Sequence, residues 1–339
     1  MSLRSAFLCL AGVAAAASAQ VDPPKPAVGK VALVLSAGAQ YGWAHIGVLK
    51  WLEENRVPVH YVVGTSVGSL VGGLYATGVS PQELREMAAS VDWDTALASE
   101  PPYEDLAFRR KEDRRQVPGV LEFGARHGLQ MPFGISSIPE VGLLLSRAGL
   151  PYDETTRFDD LPLPFRAVSF DYHRLRKYVP SGGSLPLAIR SSISIPLAFS
   201  PAVTQNRVLG DGGVLEALPV PTAVETFRPD AIIAVNVLPE SLQTRSDTEP
   251  IRHPVGGRIP ANLDKLDALQ QANRLLAAVF ASQIEAAKAS LAPYGERQVY
   301  LQPDVMESQR PWSAYDWYIQ KGYEAAAAMA ERLRPFQLS

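Results

Sequence analysis

Residues 31–75 read VALVLSAGAQYGWAHIGVLKWLEENRVPVHYVVGTSVGSLVGGLY, and this stretch decides the fold. Val31 to Leu35 is an unbroken apolar run rich in β-branched residues, the pattern of a strand buried on both faces. A turn of small residues follows, and Ile46, Leu49 and Leu52 then recur at helical spacing between Ala44 and Leu52. Val57 to Val63 reads as a second buried strand, Gly64 to Gly68 as a tight turn, and Val67 to Tyr75 as a helix with a small-residue face. Strand, glycine-rich turn and helix, twice over, is the cadence of an α/β fold: a three-layer sandwich around a mostly parallel central sheet.

Working outward, Phe165–Phe170, Ala231–Val237 and Gln298–Leu301 are expected to add strands. Leu263–Leu291 and Tyr315–Leu333 carry helical patterns, and no internal repeat is visible. Ser99–Met131 has no clear period and holds the charge run Arg109–Arg115, so a variable insertion around residues 95–150 is expected within a single domain, 30–339. The charge run reads as a solvated face before it reads as a headgroup contact. Met131-Pro132-Phe133 and Leu143-Leu144-Leu145 suit a cap over a site as well as they suit a core.

The beginning of the chain has a different character. Arg4, the apolar run Ala6–Val13 and the small residues Ala17-Ser18-Ala19 fit a signal peptide over residues 1–19, followed by a Pro-rich lead-in over 20–29. Export to the periplasm or the medium is the expectation. Cys9 sits in the middle of the apolar run, which sets a lipid-anchored leader aside, and it is the only cysteine. The mature chain is thus expected to have neither disulfides nor a thiol nucleophile. Formal net charge is −3, so a basic nucleic-acid footprint is absent, and no stretch approaches the ~20 apolar residues of a transmembrane helix.

Gly64-Thr65-Ser66-Val67-Gly68 has the form of a nucleophile elbow, with the β-branched strand before it and the small-residue helix after it that such a turn requires. A serine hydroxyl needs a base. Of the five histidines, His45 and His60 fall in a helix and a strand, and His127 and His173 in loop-like contexts. His253 follows every candidate acid strand but is not placed just after a clear strand, and no histidine pair has metal-ligand spacing. Asp211, in Val208-Leu209-Gly210-Asp211-Gly212-Gly213-Val214, is the better candidate, although an ordinary Asp-Gly turn gives the same string. Desolvation beside Ser66 would raise its pKa above the unperturbed ~3.9 and suit it to proton transfer.

Four ordered blocks give the chain a resemblance. LSAGAQYGWAHIGVL (35–49), GTSVG (64–68), AIRSSISIPLAF (188–199) and DGGVLEALP (211–219) are together similar to bacterial patatin-like phospholipases. The resemblance implies a patatin-like domain and acyl-ester hydrolysis of lipids by a Ser–Asp dyad without histidine. Those roles fall on Ser66 and Asp211, supported by Gly64, Gly68, Gly42, Gly212 and Gly213. The Ala37-Gly38-Ala39 loop would be the oxyanion hole. No cofactor or metal is implied, and the partner is a lipid or other ester, met at a membrane surface. Where the family carries Gly-Gly-Gly-x-basic-Gly, this chain has Ala37-Gly38-Ala39-Gln40-Tyr41-Gly42. An alanine forced to positive φ costs roughly 1–2 kcal/mol, and the basic anchor is gone. A short-chain carboxylesterase, suggested by Tyr41 and the missing basic anchor, and a weakened lipid-binding relative are the alternatives; Trp43, Trp51 and Tyr41 suit an acyl pocket, as Trp51 equally suits packing against the sheet.

Overall fold

The computed structural model describes residues 29–93, 122–124, 128–130, 134–136, 152, 157–204, 206–238, 251–253, 257–259, 268–305 and 310–338. The expected leader, the Arg109–Arg115 run, His127, and the 131–133 and 143–145 segments lie outside them.

Eight strands form one sheet: β1 (Val31–Leu35), β2 (Tyr61–Thr65), β3 (Phe165–Asp171), β4 (Arg176–Tyr178), β5 (Ala202–Val203), β6 (Val208–Asp211), β7 (Ala231–Val235) and β8 (Gln298–Leu301). The order is β8-β7-β1-β2-β3-β6-β5, with β4 also paired to β3. From β8 to β3 every pairing is parallel, while β6, β5 and β4 join antiparallel. All five residues of β1 are fully buried, as are all five of β7. Val31, Leu33 and Leu35 pack into one apolar cluster and Val34 into a second, so the period-2 alternation of side chains divides the core between two faces. Burying each such side chain is worth about 1.5–3 kcal/mol.

Helices α1 (Ala44–Glu54), α2 (Val67–Ala76), α3 (Pro81–Ser90), α4 (Leu185–Ser192) and α7 (Tyr315–Ala328) contribute to the first cluster. Helices α5 (Val220–Phe227) and α6 (Ala268–Leu291) contribute to the second. This is the three-layer sandwich expected. Among the described residues, no helix is long and apolar enough to cross a membrane.

Two details differ from the reading of the sequence. The second strand begins at Tyr61 rather than Val57, because the Val57 amide caps α1 by donating to Leu52 O (2.9 Å) and Pro58 follows it. The last helical stretch breaks at Met329 into two helices. Between α1 and α7 the backbones meet closely. A Cβ on Gly47 would strike the Ile319 carbonyl, and one on Gly322 the Ala44 carbonyl, so glycine at both positions lets the two helices touch.

Candidate active site

The sharpest turn of the chain joins β2 to α2. Ser66 sits there at φ 55°, ψ −128°, outside the regions a residue with a Cβ ordinarily occupies. Such strain persists only where the surroundings over-determine it. Here they do: the Ser66 amide donates to Ser192 Oγ (2.9 Å), and its carbonyl accepts from Ser69 N (2.8 Å), Ser69 Oγ (2.7 Å) and Leu70 N (3.1 Å). Glycine is required on both sides for lack of room. A Cβ on Gly64 would meet the Gly68 carbonyl, and one on Gly68 the carbonyls of Leu35 and Ser36.

Strand β6 delivers the acid. Asp211 lies opposite Ser169 on β3, one step beyond the Thr65–Val168 pair that leads into Ser66, so the two strands bring both residues to one level. Ser66 Oγ donates to Asp211 Oδ2 at 2.5 Å, and Gly213 N donates to Asp211 Oδ1 at 2.7 Å. Both residues are about 95 % buried. Burial pushes the Asp211 carboxyl up to about 6, against the opposing pull of the bonds from Ser66 and Gly213. Geometry and pKa together fit a carboxylate able to take a hydroxyl proton near neutral pH.

The 188–199 block supplies the bracket between the two. Ser192 Oγ, besides accepting from Ser66 N, donates to Val168 O (2.5 Å), and Ser194 O accepts the Asp211 amide (2.8 Å). Arg190 in turn holds Ser194 Oγ and Ser200 O. Sequence reasoning quoted this block without giving Ser192, Ser194 or Arg190 a task; its run of serines before Pro196 was the available signal.

The loop after β1 differs from expectation at its first residue. The Ala37 amide donates to Ala217 O at 2.8 Å, which commits it to the fold and removes it from an oxyanion hole. No described residue accepts from the amides of Gly38 and Ala39. Ala39 adopts φ 48°, the left-handed region where an alanine costs roughly 1–2 kcal/mol. Tyr41, which stands where the resemblance has a basic residue, is 98 % buried and packs edge-on against Tyr318 (5.9 Å between centroids). Trp51 is buried in the core on α1. Trp43 lines a small apolar cavity with Ile46, Leu70, Leu74 and Trp93.

Two histidines are tied to backbone groups of the fold. His45 Nε2 donates to Ser36 O (3.0 Å), and full burial lowers its pKa to about 4 despite that bond, so it stays neutral. His60 Nδ1 accepts from Val31 N (3.1 Å). His253 falls in a strand, Ile251–His253, paired with Gly257–Ile259, and its side chain lies outside what is described. Among the described residues, no group of three or more His, Cys, Asp or Glu could hold a metal ion.

Comparison with known proteins gives the chain a family. The family profile described as patatin-like phospholipase matches residues 33–224. An uncharacterized NTE family protein of Mycobacterium tuberculosis is 28% identical over 221 residues, which are 65% of this chain and 52% of that protein. Human patatin-like phospholipase domain-containing protein 6 is 30% identical over 209 residues, 61% of this chain and 13% of its own length. Lysophospholipase NTE1 of Mycosarcoma maydis is 28% identical over 207 residues, 61% of this chain and 10% of its own. The chain thus spans about half the length of the first relative and far less of the other two. Among solved structures, VipD from Legionella pneumophila aligns with a TM-score of 0.42 and 12% identity, over 90% of this chain and 67% of that one.

Proposed function

The chain belongs to the patatin-like phospholipase family, and from that premise we propose that it is a lipid acyl hydrolase, of phospholipase A or lipase type, working through Ser66 and Asp211. The observation that carries the reading is the 2.5 Å bond from Ser66 Oγ to Asp211 Oδ2, made at a strained elbow inside a buried site.

In this scheme Ser66 Oγ passes its proton to Asp211 Oδ2 and attacks the ester carbonyl carbon. The carbonyl oxygen becomes an oxyanion, for which the amides of Gly38 and Ala39 are the candidate donors. Asp211 returns the proton to the leaving alkoxide, whose bond to the acyl carbon breaks, leaving an acyl-Ser66 ester. A water then gives its proton to Asp211 and its oxygen to the acyl carbon, and the proton goes back to Ser66 as the acid departs. Gly213 N–H holds Asp211 Oδ1 throughout, leaving Oδ2 aimed at the serine. No part of the scheme needs a cofactor.

One observation favours a weaker catalyst: the strained Ala39 in the oxyanion loop. Loss of one oxyanion donor costs about 3–4 kcal/mol of transition-state stabilisation, so a displaced Ala39 amide would leave a slow enzyme rather than an inert one. The test is hydrolysis of p-nitrophenyl esters from short to long chain, beside Ser66→Ala, Asp211→Ala and His253→Ala. Loss in the first two with the third unaffected supports the dyad. Equal loss in His253→Ala without unfolding would replace it with a triad. A preference for short acyl chains would point to a carboxylesterase.

A further inference from the structure

Beyond the dyad, one edge of the molecule carries features that the catalytic scheme does not use. Strand β3 does not stop at the level of the nucleophile. It runs on from Val168, the partner of Thr65, to Asp171, three residues or about 10 Å further in the direction in which β2 points. There it turns back through Tyr172–Leu175 into β4. Next to it, β5 turns into β6 at the same end, and β6 descends from Arg207 towards Asp211. Two turns thus stand side by side above the dyad.

Asp171 fuses them. It is fully buried, accepts the amides of His173 (3.1 Å) and Arg174 (3.0 Å), and pairs with Arg174 Nη1 (3.1 Å) and Arg207 Nη1 (2.5 Å). Arg174 Nη1 also reaches the Asn206 carbonyl across the gap (3.3 Å). Burial alone would raise the Asp171 carboxyl, yet the bonds from Arg207 and Arg174 outweigh it and hold it at about 2, so the pairing stays charged.

What this frame presents is unusual for a surface meant only for water. Leu175 is 74 % exposed at φ 49°, a conformation that costs a bulky residue energy, and Val203 on the adjoining turn is 69 % exposed. Arg174 and Arg207 meet on Asp171 between these two strands' ends, and Arg176 follows Leu175 on β4, so three arginines face the one carboxylate of Asp171 in a chain whose formal net charge is −3. No described carboxylate pairs with Arg176. Exposed apolar residues with arginines on the strand ends between and beside them fit the interface of a bilayer, where the apolar groups enter the acyl boundary and the cations meet headgroup phosphates. We infer that these paired turns are a docking edge that seats the active site on an anionic phospholipid surface. The choice of occupant rests on the lipid reading above. The rigid frame, the exposed apolar tips and the local positive charge stand without it.

The test is co-sedimentation of Ser66→Ala protein with vesicles of phosphatidylcholine alone and of phosphatidylcholine with phosphatidylglycerol, so that binding is measured without turnover. Binding is expected to require the anionic lipid. The pair Leu175→Asp and Arg176→Glu should lower it by about tenfold or more, and should leave turnover of a short soluble ester within about twofold when Ser66 is intact. Equal binding of variant and parent, equal binding to both vesicle types, or no binding overturns the inference. So does a dimer in size-exclusion chromatography that the variant dissociates, which would make the edge a contact between copies. Anionic-lipid binding lost in the variant, by a parent that cleaves no ester, would overturn the hydrolase reading and leave the docking edge standing.

Discussion

The proposed nucleophile elbow and the loop proposed to hold the oxyanion treat crowding in opposite ways. At the elbow, Gly64 and Gly68 face backbone carbonyls that cannot move aside, and glycine is kept at both. In the loop, alanine stands at 37 and 39. Ala37 is comfortable because its amide is tied to Ala217 and its side chain joins the apolar cluster of the second face. Ala39 is not, at φ 48°. A glycine kept for lack of room is met by atoms that must move if it is replaced, whereas one kept for its dihedral angle can be exchanged for a residue that tolerates the strain. The elbow is fixed by sterics and the loop is tuned by strain.

The largest effect that bears on this contrast is at the elbow's own side chain. Ser66→Ala should lower ester turnover by about 10⁴-fold or more, and Asp211→Asn by a comparable factor, since residues that act as a unit fail together. A Ser66→Ala protein that keeps a tenth of the activity would move the chemistry elsewhere. Next, Gly68→Ala should destabilise the fold by about 1–3 kcal/mol, the usual range for overpacking, visible as a lower urea midpoint. An unchanged midpoint would mean that the helix can retreat, and the contrast between the two regions would dissolve.

The pH profile sharpens the comparison from the side of the acid. With Asp211 at about 6, kcat/KM for a soluble ester should be level above pH 7 and fall about tenfold per unit below the pKa, as the base becomes protonated. Stability runs the other way. The folded carboxyl binds its proton more tightly than the unfolded one, so this group's contribution falls as pH rises from about 4 to about 6. His45 opposes it across nearly the same window. Its folded pKa of about 4 lies below the usual 6.5, so stability from that residue is lost as pH falls from 6.5 to 4. Asp211→Asn should therefore steepen the acid-side loss of stability in a pH-dependent melt, and an unaltered slope would contradict the assignment.

The smallest effect is expected in the loop. Ala39→Gly relieves roughly 1–2 kcal/mol of strain but returns about 0.4–1 kcal/mol through the unfolded chain. A net gain below about 1 kcal/mol in a urea titration is expected, with turnover changed by less than about fivefold. A large rise in turnover would show that the alanine misplaces its amide.

Much of this was legible before any coordinates. The strand–turn–helix repeat over 31–75 gives β1, α1, β2 and α2 because central parallel strands are apolar throughout and their helices are periodic. Ser66 and Asp211 were legible because a strained turn and a close backbone approach both select glycine neighbours. What escaped notice was short or polar. Helix α3 has a mean apolar content too low to announce itself, although Ser80 and Glu83 form a capping box around Pro81 that marks its start. The β3–β4 turn is closed locally by Asp171 and Arg174, but its tie to the β5–β6 turn comes from Arg207, 36 residues on, which no local pattern encodes. The fate of the Ala37 amide was equally invisible, because its acceptor lies at residue 217.

The contact between Gly47 on α1 and Ile319 on α7 has one more consequence, and it concerns timing. The oxyanion loop runs directly into α1, and α1 buries its glycine face only when α7 is there to meet it. One half of that interface is written at residue 44 and the other at residue 315, so a ribosome delivers the nucleophile long before the surface that closes over the loop beside it. On the proposed reading, a nascent chain would carry Ser66 without a settled loop beside it, and ester turnover is expected only once synthesis has passed α7.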